Sequence, residues 1–263
     1  MYPGREKKGL RVITFSLQSG SNGNSIYVEA GDVRLLFDAG IPGNRAEGRM
    51  RVRGRDPRDV TALIISHDHH DHVRCAGVYQ RKFKLPIYMT KRTHRAVNCD
   101  LGHLSDVRYF KAGQRLSFNG VIVHTIPTPH DAADGVAFVV EYENRRLGVL
   151  TDLGHPFRKL RSTLSTLDAA YLESNYDPEM LDTGPYPAYL QERIRSGRGH
   201  LSNEQAADLL RAAGTRLQWV ALAHLSEQNN DPDLAMRTLR RRVGRRFPLR
   251  LASRYDVSEL MRV

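Results

Sequence analysis

A six-residue run of histidine and aspartate constrains the fold and chemistry of this chain more than any other feature. The run is His67-Asp68-His69-His70-Asp71-His72, which holds four of the chain's 11 histidines. It follows Val60–Ile65, an apolar segment typical of a buried strand, and leads into a helix predicted from Asp71 to about Arg81. Imidazole and carboxylate groups bind Zn²⁺, Mn²⁺ or Fe²⁺. The run therefore predicts a catalytic metal site on a strand-to-helix loop.

The spacing within the run indicates two ions. In an extended loop His67 and His69 point the same way, whereas Asp71 and His72 begin the next helix and can face a second ion. Further donors are expected at three predicted strand ends: His130, Asp152 and His224. A bridging carboxylate at Asp152 would hold two ions about 3.5–4 Å apart, the separation used in two-metal hydrolysis. The alternative is a solvated histidine-rich loop with ordinary core or surface histidines elsewhere.

The rest of the pattern predicts an α/β fold with one domain over residues 1–263, since no linker or repeat divides the chain. Period-two apolar segments predict strands at Arg11–Leu17, Ser25–Ala30, Val33–Phe37, Leu85–Tyr88, Arg115–Phe118, Val121–Ile126, Gly135–Tyr142, Arg146–Thr151, Ala169–Glu173, Trp219–Ala223 and Pro248–Ser253. Helices are expected near Lys91–Val97, Phe157–Thr166, Pro178–Ser196, Asn203–Ala213 and Pro232–Val243. Arg45–Arg58, dense in Arg and Gly, predicts an exposed loop.

Basic residues outnumber acidic ones, with 40 Lys+Arg against 29 Asp+Glu and a formal net charge of +11. Arginine accounts for 33 of the 40 basic residues. This excess favours a polyanionic partner, whose phosphates Arg45–Arg58 and Arg237–Arg246 would neutralise. The alternative is a coding bias that disperses charge over a solvated surface.

The composition does not predict export or membrane insertion. No apolar stretch approaches the roughly 20 residues that cross a bilayer, and the first residues lack a signal core. Cys75 and Cys99 are the only cysteines, too few for a disulfide framework. We expect a soluble, cytoplasmic protein with no membrane partner, and the sequence indicates no particular protein partner.

Five ordered motifs resemble those of the metallo-β-lactamase superfamily. Spanning residues 12–226, they are Phe37-Asp38-Ala39-Gly40, the run at 67–72, His130, Leu150-Thr151-Asp152-Leu153-Gly154 and His224. The resemblance implies a four-layer αβ/βα sandwich of two mixed β-sheets with the site at one edge. It also implies two ions bridged by Asp152, with Zn²⁺ expected and Mn²⁺ as the alternative, and these ligands: His67, His69 and His130 for one, Asp71, His72 and His224 for the other. By the same resemblance, Asp38 orients the histidine loop.

Segments in the second half resemble nucleic-acid-processing members of that superfamily. Gly199–Ala207 and Ala223–Asn230 are similar to segments of tRNA 3′-end ribonucleases, while Ser19–Asn24 and Glu173–Asp177 extend the match to the YycJ (WalJ)-like branch. That branch is linked to 5′–3′ DNA exonuclease activity. The resemblance implies a metal-dependent phosphodiesterase, with DNA favoured over RNA, in which two metals activate a hydroxide that attacks phosphorus.

Three residues are candidate catalytic groups. His200 is suited to protonate the departing 3′ oxygen, Glu173 to pair with His200, and Asp71 to receive the nucleophile's proton. The alternative for His200 is a structural position before an N-cap at Ser202. Candidate substrate contacts are Ser19, Asn22, Asn24, Ser226, Asn229 and Asn230.

Other functions compete with this interpretation. A structure-specific ribonuclease or a small-molecule thioester or ester hydrolase could use the same metals, the latter with a compact apolar pocket. A flavin-partnered diiron oxidoreductase would carry Glu in place of His69 and a flavodoxin-like domain, and a noncatalytic scaffold would not need intact ligands. The 71 residues between Asp152 and His224 leave no room for a β-CASP insertion, so an open groove is expected.

Overall fold

Two mixed β-sheets of seven strands each form the centre of the protein. The computed structural model describes residues 12–263, so Arg11, at the start of the predicted first strand, lies outside the described residues. The first sheet contains β1 Val12–Gln18, β2 Ser25–Ala30, β3 Val33–Phe37, β4 Ala62–Ile64, β5 Ile87–Thr90, β6 Val107–Phe110 and β14 Met261–Arg262. The second contains β7 Arg115–Phe118, β8 Val121–Pro127, β9 Val136–Tyr142, β10 Arg145–Leu150, β11 Ala169–Glu173, β12 Trp219–Ala223 and β13 Leu249–Leu251.

The helices lie in the connections between these strands. They are α1 Gly43–Val52, α2 His70–Val73, α3 Ala76–Phe83, α4 Lys91–Ala96, α5 Arg158–Leu164, α6 Pro178–Thr183, α7 Ala188–Arg195, α8 Asn203–Ala213 and α9 Pro232–Val243, with a 3₁₀ turn at Pro57–Asp59. Within residues 12–263, none of them combines the length and apolar character needed to cross a bilayer.

Each sheet has an antiparallel half and a parallel half. In the first sheet β14, β1, β2 and β3 pair antiparallel, and β3 to β6 pair parallel. In the second sheet β7 to β10 pair antiparallel, and β10 to β13 pair parallel. Ligand sites in sheets of this kind lie beyond the carboxyl ends of parallel strands. The loops after β3, β4, β10, β11 and β12 are therefore the first place to look for a site.

Apolar side chains fill three interfaces because both faces of each sheet are covered. The inner faces meet at contacts such as Phe37 with Phe138, whose ring centroids are 4.9 Å apart. Met50 and Tyr79 pack helices α1 and α3 on the outer face of the first sheet. Leu210 and its neighbours pack α8, with α5 and α9, on the outer face of the second. The predicted four-layer αβ/βα sandwich is confirmed.

The Arg-rich segment Arg45–Arg58 is not the exposed loop that its composition predicted. It contains most of α1 and the 3₁₀ turn at Pro57–Asp59. Ala46 and Met50 are four residues apart and fully buried, which is the spacing of one helix face. Because Arg and Gly surround these two residues in the sequence, the apolar pattern was too sparse to predict a helix.

Other differences concern elements with weak apolar patterns. The helix expected from Asp71 to Arg81 is divided into α2 and α3. Strands β6 and β14 were not predicted. The two central residues of β6, Arg108 and Tyr109, are exposed, and β14 has only two residues. Backbone pairing with β5 and β1 forms these strands, and pairing leaves no signal in side-chain periodicity.

Loop backbones pack closely where the histidine run meets the end of β3. Ala39 N donates to His72 O at 2.7 Å, Gly40 N to Asn24 O at 2.9 Å, and Asn24 N to Asp71 O at 2.8 Å. A Cβ atom at Gly40 would lie 1.6 Å from the carbonyl oxygen of Asp71. Only glycine allows this approach, so the glycine of the Asp38–Gly40 motif sets the position of the histidine run.

We predict that Gly40→Ala lowers the free energy of unfolding by about 1–3 kcal/mol or more, because the added methyl group displaces a packed backbone. Urea unfolding followed by circular dichroism measures the change. Gly48→Ala is the matched control, since Gly48 lies in α1 with nothing within 4 Å of a Cβ. That variant should be stabilised by up to about 1 kcal/mol. Equal stability of Gly40→Ala and wild type would contradict the prediction.

Candidate metal centre

Polar side chains reach one rim of the sandwich because each lies at or beyond a strand end. They are Asp38 after β3, His67 after β4, His130 after β8, Asp152 after β10, Glu173 at the end of β11 and His224 after β12. The backbone φ angles of Asp38, Asp152 and His224 are 65°, 55° and 57°. Non-glycine residues rarely adopt this left-handed conformation, and such residues cluster at functional sites. The rim is therefore the candidate site.

Asp38 connects the end of β3 to the histidine run. Its Oδ1 accepts a hydrogen bond from Ser66 N at 2.7 Å, and its Oδ2 accepts from Ser66 Oγ at 2.9 Å and His72 Nδ1 at 2.7 Å. Ser66 Oγ also lies 2.8 Å from His67 Nδ1. Because the Ser66 hydroxyl donates to Asp38, it accepts from His67. One buried carboxylate thus orients two histidine rings.

These contacts determine which ring nitrogen of each histidine can bind a metal. A ring whose Nδ1 donates a hydrogen bond keeps its proton there and presents the lone pair of Nε2. His67 and His72 meet this condition through Ser66 and Asp38. His130 meets it as well, because its Nδ1 donates to the carbonyl oxygen of Gly199 at 2.8 Å.

The donor atoms form two triads with Asp152 between them. Within each triad the ligand atoms lie within 4.8 Å of one another, and the members are His67, His69 and His130 for one and Asp71, His72 and His224 for the other. Asp152 Oδ2 lies 3.3 Å from His72 Nε2, and Asp152 Oδ1 lies 3.5 Å from His224 Nε2 and 3.7 Å from His130 Nε2. These sets coincide with the ligands that the family resemblance implied.

Two further observations fit a cation at this centre. His67 Nε2 and Asp152 Oδ2 are buried without a hydrogen-bond partner among residues 12–263, an arrangement that is costly unless a ligand completes it. Burial opposes the charged form of His72, but the carboxylates of Asp152, Asp71 and Asp38 outweigh it and raise the pKa of His72 well above its usual range. Burial, together with the charge of His72, keeps the pKa of His67 low and its ring neutral. The residues present fit divalent ions.

The partly exposed His200 and the buried Glu173 form a pair beside the triads. His200 Nδ1 lies 2.7 Å from Glu173 Oε1, while Glu173 Oε2 accepts from the backbone N–H groups of Leu153 at 3.0 Å and Leu201 at 3.2 Å. Burial raises the pKa of Glu173, but the charge and hydrogen bond of His200 lower it overall. The same pairing raises the pKa of His200 against the effect of burial. His200 Nε2 remains available to a ligand in the cavity.

An open cavity of about 350 Å³ lies against these groups, and part of its wall was not predicted from the sequence. Helix α7 and the segment before it contribute Tyr186, Leu190 and Arg193 to the wall. Arg193 Nε donates to Asp131 Oδ2 at 2.5 Å, and Asp131 Oδ1 lies 3.4 Å from His130 Nε2. In the sequence, the one signal for this part of the wall was the carboxylate of Asp131 next to His130, because α7 has no distinctive motif.

The predicted substrate contacts lie mainly inside the protein. Ser226 lines the cavity. Side chains of the other five, Ser19, Asn22, Asn24, Asn229 and Asn230, form internal hydrogen bonds, and all but Asn22 are buried. Ser19 Oγ accepts from His224 N at 2.9 Å, and Asn24 Nδ2 donates to Asp71 Oδ2 at 3.1 Å. In this arrangement they hold the loops that carry the metal-binding donors.

Comparison with known proteins agrees with this geometry. The sequence profile of the metallo-beta-lactamase superfamily matches residues 19–212. The chain belongs to this superfamily. Exodeoxyribonuclease YycJ of Bacillus anthracis is 34% identical over 222 residues, covering 83% of this chain and 84% of that protein. Exodeoxyribonuclease WalJ of Streptococcus pneumoniae is 33% identical over 228 residues, covering 85% of each. The metallo-beta-lactamase fold protein YhfI from Bacillus subtilis superposes with a TM-score of 0.72 at 16% identity, covering 96% of this chain and 100% of that chain.

These comparisons confirm three predictions. The chain belongs to the superfamily that its motifs indicated. Its likeness to the YycJ (WalJ)-like branch extends over most of the chain, and the protein is a metal-dependent hydrolase. The superfamily binds divalent metals, and the His and Asp clusters described above can hold them.

We predict that Asp38→Asn weakens Zn²⁺ binding about 10- to 100-fold, the usual effect of losing a group that orients a metal ligand. Asparagine tolerates the left-handed backbone at this position but removes the charge that fixes the proton on His72 Nδ1. Competition with a chromogenic chelator measures the affinity. Asp32→Asn, at an exposed turn, is the control. Unchanged affinity in Asp38→Asn would show that Asp38 does not orient the metal ligands.

Proposed function

We propose that this protein is a metal-dependent phosphodiesterase acting on nucleic acid, specifically a 5′–3′ DNA exonuclease that uses two divalent ions, Zn²⁺ or alternatively Mn²⁺. The observation that carries the proposal is that His200, held by the buried Glu173, lines the same cavity as Asp152 and members of both triads, His69 of one and Asp71 and His224 of the other. Two relatives named exodeoxyribonucleases support a DNA substrate. The 5′–3′ polarity is the one that the resemblance to the YycJ (WalJ)-like branch implies.

Ions held by the two triads would lower the pKa of water and stabilise charge on the phosphoryl oxygens. The chain's own groups then orient the ligands and move protons. Asp71, whose side chain is 21% exposed, reaches the cavity and can receive the proton of the attacking water. Ser66 and Asp38 hold the rings of His67 and His72 in the orientation that presents Nε2 to an ion.

His200 is the candidate general acid for the departing 3′ oxygen. Its Nδ1 is occupied by Glu173, so a proton on Nε2 can pass to a leaving group in the cavity. The Glu173 carboxylate stabilises the protonated ring before transfer. A phosphodiester with an alkoxide leaving group needs this proton, whereas a thioester does not, and the pair therefore favours phosphodiester chemistry.

The lining of the cavity supports a polar polymer over a small apolar acyl group. Its walls contain Asp68, His70, Asn98, Asn175 and Arg193. A compact apolar pocket, which a thioester hydrolase would need, is not what these residues form. A polar open site suits a phosphodiester backbone that continues beyond the cavity.

The direct test is cleavage of end-labelled duplex DNA, single-stranded DNA and structured RNA with Zn²⁺ or Mn²⁺. We predict stepwise shortening of DNA from its 5′ end, abolished by chelation, restored by metal, and lost in Asp71→Ala because one triad loses a ligand. Asp32→Ala should retain full activity. If no polymer is cut at low salt while a thioester is hydrolysed, the proposed function is wrong.

A second prediction separates proton donation from binding. We predict that His200→Ala loses about 10²- to 10⁴-fold in kcat on DNA but little on thymidine 5′-(p-nitrophenyl phosphate), whose leaving group departs without a proton. Steady-state kinetics on both substrates measure the ratio, with His103→Ala, an exposed histidine, as control. Equal losses on both substrates would remove His200 from the role of general acid.

A further inference from the structure

A second groove lies where the chain crosses from the edge of one sheet to the edge of the other. Strand β6 is the edge of the first sheet and β7 the edge of the second. The groove has a volume of about 480 Å³, and its lining includes Lys91, Arg92, Tyr109, Lys111, Gln114 and Asp134. We call these six residues the edge groove. The proposed catalytic chemistry uses none of them.

The edge groove contains a fixed and accessible aromatic ring. Tyr109 is 46% exposed, unusually open for a large side chain in a strand. Its hydroxyl lies 2.7 Å from His94 Nδ1, and the two rings are inclined by 29° with centroids 5.8 Å apart. Lys91 Nζ lies 5.6 Å from the centroid of the Tyr109 ring. A base can take the place of this ammonium group on the ring while the flexible lysine moves to a phosphate.

Positive charge surrounds this ring. Lys91, Arg92 and Lys111 line the edge groove, against one acid, Asp134. Across residues 12–263, none of the three cations takes part in a salt bridge within 4.0 Å, whereas Arg55 is bound by Glu29 at 2.6 Å. Unpaired cations beside an exposed aromatic ring form the combination that binds single-stranded nucleic acid.

The edge groove adjoins the metal cavity. Asp68 lines the cavity and accepts a hydrogen bond from Ala133 N at 2.9 Å, and the next residue, Asp134, lines the edge groove. Helix α4 makes a second connection, because Lys91 at its start lines the groove and Asn98, just beyond its end, lines the cavity. The six residues of α4 rise about 9 Å, so the wall of the groove and the wall of the cavity are separated by the length of about three stacked nucleotides.

We propose that the edge groove binds the unpaired strand of a DNA substrate at least about three nucleotides from the cleaved phosphate, with Tyr109 stacking on a base and Lys91, Arg92 and Lys111 contacting phosphates. The inference rests on the proposed function for its link to the metal cavity. The binding surface itself stands on the exposed ring and the unpaired cations. Binding of phosphates by Lys91, Arg92 and Lys111 would give a role to part of the chain's net positive charge.

Binding of fluorescein-labelled dT12 and dT3 to the full chain in EDTA, followed by anisotropy, tests the surface without cleavage. We predict that Tyr109→Ala weakens dT12 binding about 5- to 100-fold and leaves dT3 unchanged, while Tyr109→Phe, which keeps the ring, binds like wild type. The plot of log association constant against log salt concentration has a negative slope. Replacing Lys91 and Lys111 by alanine should make this slope shallower by about 0.7 for each phosphate that the variant no longer neutralises.

Tyr255→Ala is the matched control, since Tyr255 is 58% exposed and has Arg254 Cζ 5.8 Å from its ring centroid. It should bind both strands like wild type. With the metal-loaded enzyme, Tyr109→Ala should raise KM on dT12 and leave kcat unchanged. Unaltered dT12 binding by Tyr109→Ala, equal losses on dT3, or tighter binding of rU12 than dT12 would overturn the proposal. Intact dT12 binding by wild type in EDTA, followed by no cleavage after metal is restored, would instead overturn the nuclease function alone.

Discussion

Buried carboxylates at the rim of the sandwich require compensation, and much of the local structure supplies it. Removing a carboxylate from water is costly unless hydrogen bonds or opposite charge replace its hydration. Asp38 obtains both from Ser66 and His72, and Glu173 from backbone N–H groups and His200. The compensating groups belong to loops that follow different strands. Satisfying the carboxylates therefore holds those loops in fixed relative positions.

The chemistry of this rim was visible in the sequence because it uses residue types that are rare at strand ends. His67, Asp152 and His224 each follow an apolar strand, so their order along the chain predicted their convergence. Tyr109 and Arg193 could not be found in this way. One lies on a strand formed by backbone pairing alone, and the other lies on a helix whose neighbours in space are distant in sequence. Their roles depend on tertiary contacts that local patterns do not encode.

Arginine content alone does not locate the proposed nucleic-acid surface, for a related reason. Arg49 donates to the carbonyl of Leu17 at 2.9 Å, and Arg55 binds Glu29 through two hydrogen bonds. Such arginines are held by the protein's own groups, and Arg55 neutralises the charge of Glu29. Sequence counts treat paired and unpaired cations alike, whereas a phosphate interacts mainly with the unpaired ones.

Each triad draws ligands from both sheets. His67 and His69 follow β4 of the first sheet, whereas His130 follows β8 of the second, and the other triad combines Asp71 and His72 with His224 in the same way. An ion bound to either triad is thus a cross-link between two halves of the sandwich that otherwise meet through apolar side chains and a few hydrogen bonds, such as the one from His224 N to Ser19 Oγ. Folding and metal uptake are thermodynamically linked in such an arrangement, with about 2.7 kcal/mol gained at a free metal concentration 100 times the Kd. The availability of metal in the cell would then govern the lifetime of the folded chain as well as its activity.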